Sequence, residues 1–341
     1  MRGVAIHPVD KPLGPTSHDV VATARRTFGT RRVGHAGTLD PLATGVLLLL
    51  TEDDTKLSPW LTGSPKRYLA WVAFGASTAS GDAQGPILER GDPSALDARA
   101  VDAAAQAFLG VTEQVPPRHS AVKIDGERAY AAAHRGEAYE ALPARPAGYA
   151  AVTLLAFGSS DALPTTFAPG PDGWRPAAPD APSARRFDRP PPLAELPIAL
   201  FDVRVQAGTY LRAFARDLGA ALGVPAHLAG LVRTASGSVD LADAAPLARL
   251  ADGRAASPRE VLPLPAVHVD AAQAARVRQG QRLPLADLAL PPELAPLTQD
   301  GGAPDADVGS EAMLLDEGGA LVAIADFAGG RMRLRRVRPA P

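Results

Sequence analysis

Apolar positions along the chain follow two rhythms. Val20, Val21, Ala24 and Phe28 fall at helical spacing. Thr16 and Ser17 precede them as cap candidates, Arg25 and Arg26 sit in the last turn, and Gly29 stands where a left-handed residue ends a helix. The run VLLLLT from Val46 is continuously apolar, which predicts a strand covered on both faces. After it, Tyr68, Ala70, Val72 and Phe74 alternate with Leu69, Trp71 and Ala73 in a second strand. Further helices are predicted over 94–109, started by Ser94 and stopped by Gly110, and over 127–135 and 210–222. Helices and strands interleave without a strict βαβ order, so the expected class is α+β around a mixed, mainly antiparallel sheet.

Residues 158–197 hold ten of the 34 prolines, which predicts a flexible insertion between strands at 151–157 and 198–206. Beyond the LPLPAV segment, a short helix at 271–279 and strands at 312–315, 320–327 and 332–337 suggest a small β-rich domain. Two domains are therefore expected, 1–262 and 263–341.

The chain has 341 residues, 46% of them apolar and 21% charged, ample for a core and against bulk disorder. It has no cysteine, which excludes disulfides, cysteine-held metals and a thiol nucleophile. The longest strongly apolar run, 46–50, is far too short for a membrane span, and residues 1–14 lack a signal-peptide core, so a soluble cytoplasmic protein is expected. The net charge of −2 hides an asymmetry. Residues 1–36 carry Arg2, Lys11, Arg25, Arg26, Arg31 and Arg32 against Asp10 and Asp19. Residues 331–341 carry five arginines and no acid, whereas 281–326 hold nine acids against Arg282. Two basic ends suggest either a local polyanion footprint or merely a solvated surface.

The segment RRVGHAGTLDPLATG, 31–45, carries the clearest chemical signal. Its glycines let the backbone approach a ligand, and Pro41 stiffens the chain after Asp40. A carboxylate held there can be a nucleophile, a general base, a metal ligand or only part of an Asp-Pro turn. The ligand reading is the weakest, because no histidine or acid cluster at metal spacing accompanies it. Lys66-Arg67-Tyr68 and QAGTYLRAFARDLG place Tyr68, Tyr210 and Arg212 near cations or a glycine turn. That suits a stacked, flipped nucleobase, or else ordinary sheet and core residues.

Six ordered blocks resemble the TruB family of bacterial tRNA pseudouridine synthases: VDKPLGPTSHDVV, RVGHAGTLDPLATGVL, KRYLAWVAFGASTASGDAQG, PPRHSAVKIDGERAYAAAHRG, GTYLRAFARDLG and HLAGLVRTASG. The resemblance spans residues 3 to about 240, and the C-terminal segment resembles a PUA-type RNA-binding domain. It implies isomerisation of uridine 55 in the tRNA T-loop, without cofactor or metal, by a base-flipping monomer. In the family an aspartate, here Asp40, starts the break of the N1–C1′ bond, by a glycal or a covalent adduct, and the base rejoins through C5. By the same resemblance Tyr68 stacks on the base and is a candidate proton shuttle, Arg212 pairs with Asp40, and Tyr210 and Asp82 belong to the pocket. His35 enters the space the flipped base vacates, and Lys11, Lys123 and Arg233 are expected on phosphates. Residues 114–147 correspond to a mobile thumb, bordered by Pro116 and Pro117. Guide-RNA-dependent relatives lack that insertion, so no guide RNA is implied. A tRNA-folding chaperone acting without chemistry is the alternative. Departures from the family pattern are the long 158–197 stretch, Ala207 in place of a common lysine and Ala79 in place of a common acid. The basic stretch 331–338 is expected to be the RNA-binding face of the C-terminal domain.

Overall fold

The computed structural model describes residues 5–117, the short strands Lys123–Ile124 and Glu127–Arg128, and residues 142–294, 311–328 and 331–338. In chain order the first half runs β1 (Ile6–Lys11), α1 (Ser17–Phe28), β2 (Val33–Ala36), β3 (Ala43–Thr51), α2 (Ser58–Thr62), β4 (Lys66–Phe74), β5 (Ala76–Thr78), β6 (Ile87–Arg90) and α3 (Ala98–Gln106). Next come β7 (Glu113–Gln114), β8 (Lys123–Ile124), β9 (Glu127–Arg128), β10 (Arg145–Pro146), β11 (Tyr149–Gly158), β12 (Thr166–Gly170), β13 (Gly173–Pro176), β14 (Arg185–Arg186) and β15 (Ile198–Val205). Then follow α4 (Leu211–Ala221), β16 (Ala226–Ser236), β17 (Val239–Asp240), β18 (Ala245–Pro246), α5 (Pro258–Val261), β19 (Ala266–His268), α6 (Ala271–Arg278), β20 (Glu311–Leu315), β21 (Leu321–Ala328) and β22 (Arg331–Val337).

The central sheet has the order β11-β15-β4-β16-β3-β1-β18, with β2 on β3 and β17 on β16. Its pairs are antiparallel except β16 with β3 and β1 with β18. All nine residues of β3 are buried because both faces are covered. Leu47 and Leu49 join the core under α1, α3 and α4, while Val46, Leu48 and Leu50 join the core on the other face. The same two-residue alternation sends Tyr68, Ala70, Val72 and Phe74 to the helical side.

Local chemistry sets the helix ends. Thr16 and Asp19 form a reciprocal capping box on α1, and Gly29 closes it at φ 61°. In α3 the cap is Asp97, whose carboxylate accepts from the Ala100 N–H, so the helix is shorter than 94–109. Helix α4 starts at Leu211, with Tyr210 as its cap. Within 31–45 the chain is not wholly loop, because Val33–Ala36 pairs with β3. Of the helix expected at 127–135, Glu127 and Arg128 instead form β9; the remainder lies outside the described residues, as does most of the 114–147 thumb. The base of that thumb is described: β7 and β10 pair antiparallel and bring its two ends together.

The proline-rich stretch corrects the expectation of a flexible insertion. It folds into the three-stranded sheet β13-β12-β14 and lies on the core opposite the helices. Phe167, Trp174 and Phe187 are buried there, with Phe167 edge-on to Trp71 at 5.9 Å. Asp202 of β15 fastens it by accepting from both Arg67 and Arg175, and the Trp174 indole donates to Asp240 at 3.0 Å.

Strands β19 to β22 form a separate four-stranded sheet with α6 over it. Val267, Val277, Leu314 and Phe327 fill its own core, while Met313, Leu315 and Ile324 meet Val261 and Leu262 in the core of the first unit. Arginines of the basic stretch are partly consumed at this junction. Arg336 reaches Asp53 at 3.6 Å, Arg338 reaches Asp54 at 2.6 Å and Arg335 reaches Glu311 at 3.3 Å. Arg331 and Arg333 of that strand are exposed without a carboxylate partner among the described residues. No helix among the described residues is long and apolar enough to cross a membrane.

Candidate active site

The loop between β2 and β3 is immobilised from both sides. On one side the Ser17 hydroxyl, buried in the first turn of α1, accepts from the Leu39 N–H at 2.8 Å and donates to the Leu39 carbonyl at 2.9 Å. On the other, Arg233 donates to the carbonyls of Val46 at 2.6 Å, Gly37 at 2.9 Å and Thr38 at 3.4 Å. Leu39 and Leu42 anchor the loop in the core, and between them Asp40 keeps its side chain 42% exposed. Gly45 permits the close pairing of β16 with β3, because at φ 96° a Cβ there would lie 2.3 Å from the Arg233 carbonyl oxygen.

Arg212, in the first turn of α4 and nearly buried, points its Nε at the Asp40 carboxylate at 3.0 Å. It also donates to the Ser80 carbonyl at 3.0 Å and lies 4.0 Å from Asp82. Asp82 is buried and itself fixed: its carboxylate accepts from the Ser80 hydroxyl at 2.6 Å and the Gln84 N–H at 3.0 Å. Segment 81–83 is bonded to Leu228 of β16, so two sheet elements and one helix aim this group of charges. Tyr68 is buried on the same helical side of β4, directly paired with Arg233 across the strands. Tyr210 is half-buried, and its backbone is clasped by the Gln114 amide at the thumb base.

His35 on β2 is half-buried, with its Nδ1 buried and without a hydrogen-bond partner among the described residues, and His18 stands edge-on to it at 5.8 Å. Burial first, then the nearby His18 and Arg233, push its imidazole below the ordinary value, which leaves a neutral ring at pH 7.

Two cations expected on phosphates are not surface groups. Lys11 is fully buried and its ammonium donates to the carbonyls of Pro12 at 2.9 Å and Pro15 at 2.6 Å. Burial pushes it down to about 8, against the attraction of Asp40. Arg233 is equally buried and serves the loop that carries Asp40. Both instead donate to backbone carbonyls around the loop, of which the Val46 carbonyl is buried and the others part-buried. Lys123 lies in β8, but its side chain is outside the described residues. Sequence reasoning missed Ser17, Ser80 and Gln114, which touch backbone more than side chains and so leave little pattern.

The model of the N-terminal domain of TruB family pseudouridylate synthases matches residues 25–165. A tRNA pseudouridine synthase B of Thermus thermophilus is 45% identical over 334 residues, covering 98% of both chains. This chain belongs to the TruB family. A second member, from Deinococcus radiodurans, is 47% identical over 274 residues, covering 80% of this chain and 87% of that one. The TruB fold extends to a solved Cbf5-Nop10-Gar1 complex, with a TM-score of 0.66 at 22% identity over 99% of this chain and 86% of that one. It extends also to an archaeal box H/ACA Nop10-Cbf5 complex, with a TM-score of 0.62 at 20% identity over 98% and 86%. At such identities the likeness establishes the fold alone.

Proposed function

We propose that this TruB-family isomerase converts uridine 55 in the T-loop of tRNA to pseudouridine, with Asp40 as the group that opens the reaction. The observation that carries the reading is the Asp40 carboxylate, held on a doubly pinned loop, open to solvent and 3.0 Å from a nearly buried guanidinium. Arg212 aims the carboxylate at the sugar of a flipped nucleotide and supplies its counter-charge. The N1–C1′ bond breaks, the base turns, and a C5–C1′ bond forms; the proton lost from C5 is balanced by one gained at N1.

Tyr68 lies beside this carboxylate loop on the same face and is the candidate to stack on the base and move that proton. The neutral, half-buried His35 ring is suited to fill the space a flipped base leaves in the T-loop. Identity of 45–47% over most of the chain to proteins named tRNA pseudouridine synthase B supports a tRNA substrate; the enzyme is proposed to work as a cytoplasmic monomer without a guide RNA.

Site-resolved pseudouridine mapping on an unmodified tRNA transcript tests this. Wild type is expected to modify the T-loop uridine alone, Asp40→Asn to modify nothing while binding within a few-fold, and Tyr68→Phe to bind but turn over slowly. Wild type that binds the transcript and leaves every uridine unchanged would overturn the enzyme reading in favour of a chaperone.

A further inference from the structure

The basic N-terminal segment is sorted by the fold into spent and unspent charge. Lys11 is buried under its loop, and Arg32 is paired with Glu52 at 3.3 Å and Asp53 at 2.8 Å. Arg25, Arg26 and Arg31 remain exposed, and none is in an ion pair among the described residues. With Gly29 and Thr30 they line an open concavity of about 570 Å³ where α1 ends. The C-terminal dipole of α1, equivalent to about half a negative charge, offsets only a fraction of three positive ones.

This concavity is aligned with the candidate active site. His18, Ala22, Arg25 and Gly29 lie four, three and four residues apart and so form one stripe of α1, none of it buried. At its near end His18 touches His35; at its far end the stripe enters the concavity. Seven residues of helix at 1.5 Å each place Arg25 about 10 Å beyond His18. The extended chain from His35 back to Arg31, at about 3.3 Å per residue, spans at most about 13 Å. Two routes thus put the arginines a few nucleotides from the residue expected inside the T-loop.

We propose that Arg25, Arg26 and Arg31 hold phosphates of the RNA strand that leads from the flipped nucleotide into the T-stem. The inference rests on the RNA-modifying function proposed above. A guanidinium fork matches a phosphate in two bonds and carries no base information, which suits an enzyme that accepts stems of differing sequence. The three residues touch no reacting atom and set affinity, not chemistry.

The test uses the full chain and a T-arm hairpin, with dissociation constants measured over a range of KCl and single-turnover rates at saturating RNA. In R25A/R26A/R31A the slope of log K against log salt should flatten by about 2 to 3, at roughly 0.7–0.9 for each of three lost phosphate contacts. Affinity at low salt should fall at least about tenfold, with the saturated rate unchanged. R25K/R26K/R31K should keep the slope, and Arg31→Glu alone, outside the helix, should weaken binding in the same direction. An unchanged slope and affinity in the alanine variant, or an equal loss in the lysine variant, would overturn the proposal while wild-type modification of the hairpin leaves the functional reading intact. Wild type that neither binds nor modifies the hairpin would remove both.

Discussion

Arg212 Nε and Asp40 Oδ2 lie 3.0 Å apart, although one residue begins a helix and the other sits on a loop across the sheet. The pair is asymmetric: the arginine is nearly buried and the carboxylate faces solvent, so the cation is the fixed member and the anion the aimed one.

Removing the cation should therefore cost chemistry more than binding. A hydrogen bond to a charged group is worth about 1.5–3 kcal/mol, so Arg212→Ala is expected to lower the single-turnover rate roughly 10- to 100-fold or more. The dissociation constant for a T-arm hairpin should move only a few-fold. Equal losses in rate and affinity would show that Arg212 binds RNA instead of orienting Asp40.

Arg233 serves the loop carbonyls of Gly37 and Thr38 and the buried carbonyl of Val46 in β3, and its loss removes a donor from each. Arg233→Met is expected to destabilise the fold by about 2–4 kcal/mol, measured by urea unfolding. It should also lower activity at temperatures where the protein is still folded, because the loop that carries Asp40 is freed. The salt dependence of RNA binding should not change, unlike that of a phosphate contact.

Trp174, from the proline-rich stretch, is buried against Phe187 and donates to Asp240. Trp174→Ala should cost about 3–5 kcal/mol, and deletion of 158–197 should prevent a cooperative thermal transition. A deletion variant that melts like wild type would restore the view of this stretch as a dispensable insertion.

Asp54 links the 3₁₀ turn at Glu52–Leu57 to the end of the C-terminal strand through Arg338, with its second oxygen buried and without a partner among the described residues. Burial outweighs the attraction of Arg338 and pushes its carboxyl up to about 6. The folded state thus holds this proton more tightly than the unfolded chain, whose value is near 3.8. From this group, stability is greatest at low pH, declines as pH rises from about 4 to about 6, and is flat above. The carboxylates at Asp19, Asp53 and Glu260 are shifted down and work in the opposite sense. The comparison of wild type with Asp54→Asn isolates the effect: the variant should gain on wild type by on the order of 1–3 kcal/mol between pH 4 and pH 7 in urea unfolding. A constant difference across that range would place the Asp54 carboxyl at an ordinary value.

Short-range features were legible in the sequence by itself. The helix start at Thr16, the closing Gly29, the doubly covered β3 and the two-residue alternation of the strand that begins at Tyr68 follow from residues within a few positions of one another, whereas the reciprocal bond from Asp19 and the side that Tyr68 faces came from the structure. The six ordered blocks likewise pointed to the family, since their signature is local and linear. Tertiary structure alone decided the rest, because it depends on partners far apart in sequence or on backbone atoms that every residue shares. Lys11 and Arg233 look like any surface cation until the carbonyls of Pro12, Pro15, Gly37 and Val46 are found around them. Phe167, Trp174 and Phe187 are scattered among prolines and become a core only when Trp71 lies beneath them. Arg336 and Arg338 meet Asp53 and Asp54 only once the C-terminal sheet has docked. Charge and hydrophobicity are properties of a residue, whereas burial and pairing are properties of its neighbours, and the fold chooses those.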